Sequence, residues 1–252
     1  MGPERHYDVL GASQFRLLCA LGLRADHRVL DFGCGSLRAG RLLIPYLDPG
    51  RYFGVEPNAW LIETGIEKEL GADLVRLKSP RFDHNAEFLV DGFGQSFDFI
   101  LAQSIFSHCG PDLVARALIN FSGSLADDGL IAATFLNGID YPGTGWIYPK
   151  CATHSVASVQ RMVEAAGLTA IRAPWFHPRQ HWWLMARDAD QLPDQRQLAH
   201  LTGVVLRDPD FRASWSAAAG VRKGFSRWYK FRVLAGLRRW LARRRNTESR
   251  GI

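Results

Sequence analysis

The segment Val29–Gly35, VLDFGCG, constrains this chain more than any other. An apolar run ends in a D-x-G-x-G pattern made by Asp31, Gly33, Cys34 and Gly35. Glycines let a backbone turn sharply and approach a ligand closely. A helical stretch, SLRAGRLLIPYL (36–47), is read immediately after, so helix N-terminal amides are expected to face the turn. A strand that hands a glycine loop to a helix is one unit of an α/β sheet, and the rest of the chain repeats that alternation.

A helix is read at 7–23, a strand at 27–32, and the helix 36–47 ends near Pro45. A second strand follows at 51–56, then a helix capped by Asn58 and stopped at Gly71. FDFILAQ (97–103) and GLIAATF (129–135) are further strands, separated by the helix PDLVARALINFSGSL (111–125). HSVASVQRMVEAAG (154–167) is a helix that places Val156, Val159, Met162 and Val163 inward. LTAIRAPW and HWWLMAR, joined by FHPRQ (176–180), are close enough to pair antiparallel. In sheets of this kind ligands lie beyond the C-terminal strand ends, where the strand order reverses. The loops after Phe32, Glu56 and Leu101 are therefore the informative ones.

No run approaches 18 uninterrupted apolar residues, and MGPERHYDVL has neither the apolar core nor the small residues of a secretory leader. The four cysteines, Cys19, Cys34, Cys109 and Cys151, are widely spaced, which predicts no zinc site, no disulfide framework and a reducing cytoplasm. The formal net charge is +6, but it is unevenly placed. Residues 207–252 hold 13 Lys and Arg against 3 Asp and Glu, whereas the other 206 residues hold 18 against 22. The basic character therefore belongs to a C-terminal segment rather than to a surface spread over the whole protein.

The glycine loop is not the dinucleotide fingerprint G-x-G-x-x-G, because Arg38 stands where the third glycine would be. Glu56 ends the second strand, 25 residues after Asp31, where a carboxylate can accept both hydroxyls of a ribose. VLDFGCG, YFGVEP, FDFILAQSIFSH and LADDGLIAATF, in that order, resemble motifs I, II and IV and the following strand of class I S-adenosylmethionine-dependent methyltransferases. The resemblance spans roughly residues 25–187. It implies a Rossmann-like, seven-stranded, mostly parallel sheet with an antiparallel last strand and helices on both faces. It also implies that Asp31, Gly33, Cys34 and Gly35 hold the methionyl part of S-adenosylmethionine and that Glu56 binds its ribose. The resemblance further implies that Asp83, in RFDHNAEF, approaches the adenine amine, and Gln103 and Ser104 are expected to border the cofactor and the substrate cleft. On this reading residues 1–190 are the methyltransferase domain and 191–252 a basic helical extension.

Methyl transfer to a hydroxyl also needs a base, and His108 in SIFSH is the candidate; a histidine that only packs or bonds locally is the alternative. Tyr141, Trp146, Tyr148, Trp175, His177, His181 and Trp182 form an aromatic-rich group around the substrate side. Trp146 and Tyr148 are lid candidates, and strand alternation predicts that one of Trp182 and Trp183 is core. The segment lacks the N/D-PP-Y/F motif of amino-group methylation on nucleic acids, and no cysteine follows a proline as cytosine chemistry needs. O-methylation of a small molecule, glycan or lipid-linked acceptor is thus the expectation, with RNA or protein methylation as the alternative. Between Val221 and Arg245, Phe225, Tyr229, Val233, Leu237 and Leu241 recur every four residues among many arginines. That pattern suits peripheral contact with an anionic membrane or an acidic partner, and less readily nucleic acid. An ordinary docked helix with a solvated basic face is the plainer reading.

Overall fold

A computed structural model describes residues 6–201. The basic segment read as an amphipathic helix lies outside the described residues. The helix α1 (Tyr7–Ala20) is followed by β1 (Val29–Phe32), α2 (Gly40–Tyr46), β2 (Tyr52–Val55), α3 (Ala59–Gly65), α4 (Ala72–Lys78) and β3 (Arg81–Asp83). Then come β4 (Phe97–Ala102), α5 (Pro111–Ser124), β5 (Leu125–Phe135), α6 (Val156–Ala165), β6 (Thr169–Ala173), β7 (His181–Ala186) and α7 (Gln195–His200).

The seven strands form one sheet in the order β3-β2-β1-β4-β5-β7-β6. β7 is antiparallel to both its neighbours, and the pairings among β1 to β5 are parallel. The strand order reverses between β1 and β4, which places the ligand edge at the ends of those strands, as the glycine loop requires.

Each face of the sheet carries its own apolar layer. On one, Val114, Leu118 and Phe121 of α5 and Val159 and Val163 of α6 pack on Leu30, Ile100, Ile131 and Met185. On the other, Leu17 and Leu18 of α1, Leu43 and Ile44 of α2 and Ile62 of α3 pack on Val29, Phe99, Leu101 and Leu184. Leu192 and Leu201 join that second layer. Strand alternation sends Trp182 to the second layer and Trp183 to the first. Both are buried, so both tryptophans are core, not one of them, because helices cover the two faces alike.

Three local expectations are corrected. α2 begins at Gly40 rather than at 36, since residues 33–39 turn repeatedly and Leu37 adopts φ 62°. β5 begins at Leu125 rather than 129, through a bulge opposite Phe97 and Phe99. Gly129 sits in that bulge, where a Cβ would come 2.8 Å from the Phe97 carbonyl oxygen. Asn58 makes no capping bond to α3; its side chain turns back to Glu56 instead.

Candidate active site

Several buried polar residues lie at the C-terminal edge of the sheet. Asp31, Glu56, Gln103 and Thr134 stand at or just past strand ends, and Ser13 and Gln14 face them from α1. α1 is held over this edge by several polar ties. The Tyr7 hydroxyl donates to the Ser36 carbonyl at 2.8 Å, Arg41 bridges Asp8 at 2.7 Å, and Trp175 Nε1 donates to Ser13 Oγ at 2.9 Å. α1 and the loop touch at Gly11, where a Cβ would lie 2.6 Å from the Arg38 carbonyl oxygen.

The glycine loop itself is closely specified. Gly33 and Gly35 adopt φ of 73° and 55°, conformations that cost an L-residue about 1–2 kcal/mol. A Cβ on Gly33 would fall 2.1 Å from Ile105 Cδ1, so the first glycine lets the loop after β4 close on the loop after β1. A Cβ on Gly35 would meet nothing within 4 Å, so its outer side is open to a ligand. The Gly33 and Cys34 amides both donate to the Val55 carbonyl, at 2.8 and 3.1 Å. Cys34 also accepts from the Leu37 amide, and its thiol is buried beside Gly54. Burial, with the Asp31 and Glu56 carboxylates adding to it, pushes that thiol well up from its ordinary value. Cys34 therefore braces the loop from beneath.

The carboxylates lie side by side on neighbouring strand ends. Asp31 accepts from the Tyr52 hydroxyl at 2.9 Å. Burial raises it to about 6, against the pull of that hydrogen bond and of Arg38. Arg38 donates from Nε to Gln14 Oε1 at 3.1 Å. Glu56 accepts the Gly35 amide on Oε2 at 3.2 Å and the Asn58 backbone and side-chain N–H groups on Oε1 at 3.0 and 2.9 Å. Two oxygens offer about four lone-pair positions, so capacity for a hydroxyl pair remains. Asp83 pairs with Val55 across the strands and accepts twice from Asn85 on Oδ1, at 2.7 Å each. His84, which the sequence did not single out, meets the Glu56 carbonyl through Nδ1 at 2.8 Å and steadies the end of β2.

After β4, Gln103 is 5% exposed and its amide finds no partner among the described residues. Ser104 takes φ 64°; its amide donates to Thr134 Oγ1 at 2.8 Å, and its hydroxyl accepts from Gln180 Nε2 at 3.1 Å. A non-glycine residue in that region at a ligand edge is strained backbone held by its surroundings. His108 donates from Nδ1 to the Lys150 carbonyl, 2.7 Å away, which leaves Nε2 as the basic nitrogen. Its ring lies 5.7 Å from that of Trp146 and 5.1 Å from that of Tyr148. Both aromatics are more than half exposed and stack on each other at 6.4 Å with a 20° tilt. Trp175 and Trp182, by contrast, are buried and belong to the apolar layer.

Residues 30–131 match the family model for a methyltransferase domain. The chain carries a methyltransferase domain, and S-adenosylmethionine-dependent methyltransferases share its fold. Similar solved structures agree in fold. Magnesium protoporphyrin IX methyltransferase from Synechocystis PCC 6803 is 12% identical, with a TM-score of 0.55 over 75% of this chain and 89% of that one. The CcbJ methyltransferase from Streptomyces caelestis is 17% identical, with a TM-score of 0.55 over 73% and 96%. A putative O-methyltransferase from Nostoc punctiforme PCC 73102 is 18% identical, with a TM-score of 0.51 over 73% and 62%. No curated protein sequence matches the chain.

Proposed function

We propose that this methyltransferase moves a methyl group from S-adenosylmethionine to a hydroxyl oxygen of a small molecule, glycan or lipid-linked acceptor. The observation that carries the reading is the open glycine loop, with its Gly35 amide bonded to the Glu56 carboxylate and the buried Asp31 beneath it. One of the structures similar in fold is named for a small acceptor, magnesium protoporphyrin IX, and another for O-methylation. When bound, S-adenosylmethionine supplies a methyl group on a sulfonium, a leaving group that needs no further activation.

The residues divide the remaining work. Asp31 balances the cofactor's positive groups, Gly33 and Gly35 let its methionyl part approach the main chain, and Glu56 takes the ribose hydroxyls. Asp83, on the adjoining strand end, faces the adenine side, and Gln103 and Ser104 bound the methyl-bearing end. His108 Nε2 accepts the proton that the acceptor hydroxyl gives up as its oxygen gains the methyl, so charge and atoms balance. Trp146 and Tyr148 pack against the His108 ring and fix where it stands.

Calorimetric titration with S-adenosylhomocysteine tests the cofactor half. Tight binding to the native chain, weakened at least tenfold in Asp31→Ala and in Glu56→Ala, is expected. Binding left intact by both substitutions would overturn the reading. For the base, His108→Ala is expected to lower turnover about a hundredfold while cofactor affinity holds. Methylation of RNA or protein is the second reading, favoured by the 13 Lys and Arg of residues 207–252. Transfer of label to macromolecular rather than small-molecule fractions of a cell extract distinguishes it.

A further inference from the structure

Five buried polar atoms near the substrate side have no hydrogen-bond partner among the described residues: Gln103 Oε1 and Nε2, His177 Nε2, Gln180 Oε1 and Trp182 Nε1. They come from two stretches of chain, Gln103 just after β4 and His177, Gln180 and Trp182 along residues 177–182, which Gln180 ties to the loop after β4. Gln103 continues β4 with the parity of Phe99 and Leu101, on the sheet face covered by α1 and α2, and Trp182 lies on the same face. The His177 ring stands edge-on to Trp182 with centroids 6.5 Å apart. Gln180 reaches across to the loop after β4, donating from Nε2 to Ser104 Oγ at 3.1 Å and to Ser107 Oγ at 3.3 Å. Native proteins leave few buried polar groups unpaired. A group of such atoms at the ligand edge of an α/β sheet is best accounted for by a ligand that completes them.

The orphan atoms also say what kind of group completes them. His177 Nδ1 accepts the Arg179 and Gln180 amides, at 3.2 and 2.9 Å, so its hydrogen is on Nε2 and that atom is a donor. Burial together with Arg38, Arg179 and His181 lowers this imidazole to about 3, so it is neutral at ordinary pH. Trp182 Nε1 is a fixed donor and Gln180 Oε1 a fixed acceptor, since the Gln180 nitrogen is already committed. Gln103 offers both roles. A carboxylate placed here would face the Gln180 oxygen, and an ammonium would face two N–H groups. A hydroxyl both gives a hydrogen and accepts one, so a set of hydroxyls suits a group that mixes donors with acceptors.

We propose that Gln103, His177, Gln180 and Trp182 form the acceptor subsite, and that it takes an uncharged, polyhydroxylated ring such as a sugar or cyclic polyol. This assignment rests on the methyl-transfer reading for its place in the site and narrows the acceptor class within it.

The test follows the side-chain N–H signals of Trp182 and His177 by NMR on the full chain, with Trp182→Phe and His177→Gln spectra for assignment. S-adenosylhomocysteine is added first, then methyl glucoside, glucuronate or cyclohexane in separate titrations. Saturable shifts of both signals with methyl glucoside, and an affinity lowered about fivefold in Gln180→Leu, are expected. Equal or stronger response to glucuronate, or no response to either sugar, would overturn the proposal. So would saturable shifts of both signals with S-adenosylhomocysteine alone and none with the sugar added afterwards, because the subsite would then be the cofactor's. Failure of S-adenosylhomocysteine to shift any signal of the glycine loop would instead remove the methyl-transfer reading itself.

Discussion

The carboxylates that end β1, β2 and β3 each accept a hydrogen bond from the protein, from Tyr52 to Asp31, from Gly35 and Asn58 to Glu56, and from Asn85 to Asp83. Around β4, the segment 176–180 and β7, five buried polar atoms have no hydrogen-bond partner among the described residues. The first region is preorganised, so little rearrangement stands between it and its ligand. The second is unsatisfied until something arrives, and unpaired buried groups of this sort each cost about 1–3 kcal/mol. On the functional reading proposed above, the first region holds S-adenosylmethionine and the second takes the acceptor.

Substitution in the preorganised region is expected to have the largest effect. Gly33→Ala must place a Cβ at φ 73° against Ile105. It is expected to weaken S-adenosylhomocysteine binding more than tenfold and to lower stability by about 2 kcal/mol in urea unfolding. Trimming Ile105 to Ala alongside it relieves the contact but not the φ, so binding should recover only in part. Full affinity in Gly33→Ala would show that the loop is not preset.

Next comes pH. Asp31 is held at about 6 in the ligand-free fold, against an ordinary 3.8, so an ammonium partner meets an ionised carboxylate only above that value. Cofactor affinity should fall by up to about tenfold per unit as pH drops below 6, and Asp31→Asn should flatten the profile. The stability of the ligand-free protein moves the opposite way. A raised carboxylate favours the fold below pH 3.8, and that contribution is lost as pH rises from there through about 6. Thermal unfolding of the native chain and Asp31→Asn across this window checks the sign.

The smallest effect is expected at Ser104, between the two regions. Ser104→Gly relieves φ 64° but removes the hydroxyl that accepts from Gln180. The two terms nearly cancel, and a change within about 1 kcal/mol in urea unfolding is expected. A larger loss would show that the link across the 104–108 loop matters more than the strain.

This division also explains what could be read from the chain alone. The preorganised region is written locally: Asp31, Gly33, Gly35 and Glu56 each sit at a fixed distance from an apolar strand, and the strand order follows from that alternation. The unsatisfied region is assembled from segments far apart in sequence. Gln180 in FHPRQ carries no periodic signal, and its role appears only when the β6–β7 connection folds over the loop after β4. His177 reads as one aromatic among several until its Nδ1 is seen to be occupied. The late start of α2 was hidden because Ser36–Ala39 has ordinary helix propensity, and the positive φ of Leu37 depends on the crowding of Gly65 against Ser36, where a Cβ would lie 2.6 Å from the carbonyl oxygen. The second core tryptophan was hidden for a related reason: alternation assigns faces, but only tertiary structure says that both are covered.

The insertion of β7 between β5 and β6 bears on how the chain is made. β6 joins the sheet only through β7, and β5 has no partner on that side until residues 181–186 exist. A ribosome delivers β5 some 45 residues before it delivers β7. During that interval an apolar strand edge stands open, the kind of template on which chains aggregate. The nascent protein is therefore most vulnerable in the stretch of synthesis between Phe135 and His181, and a chain cut anywhere within it would lose β6 together with β7.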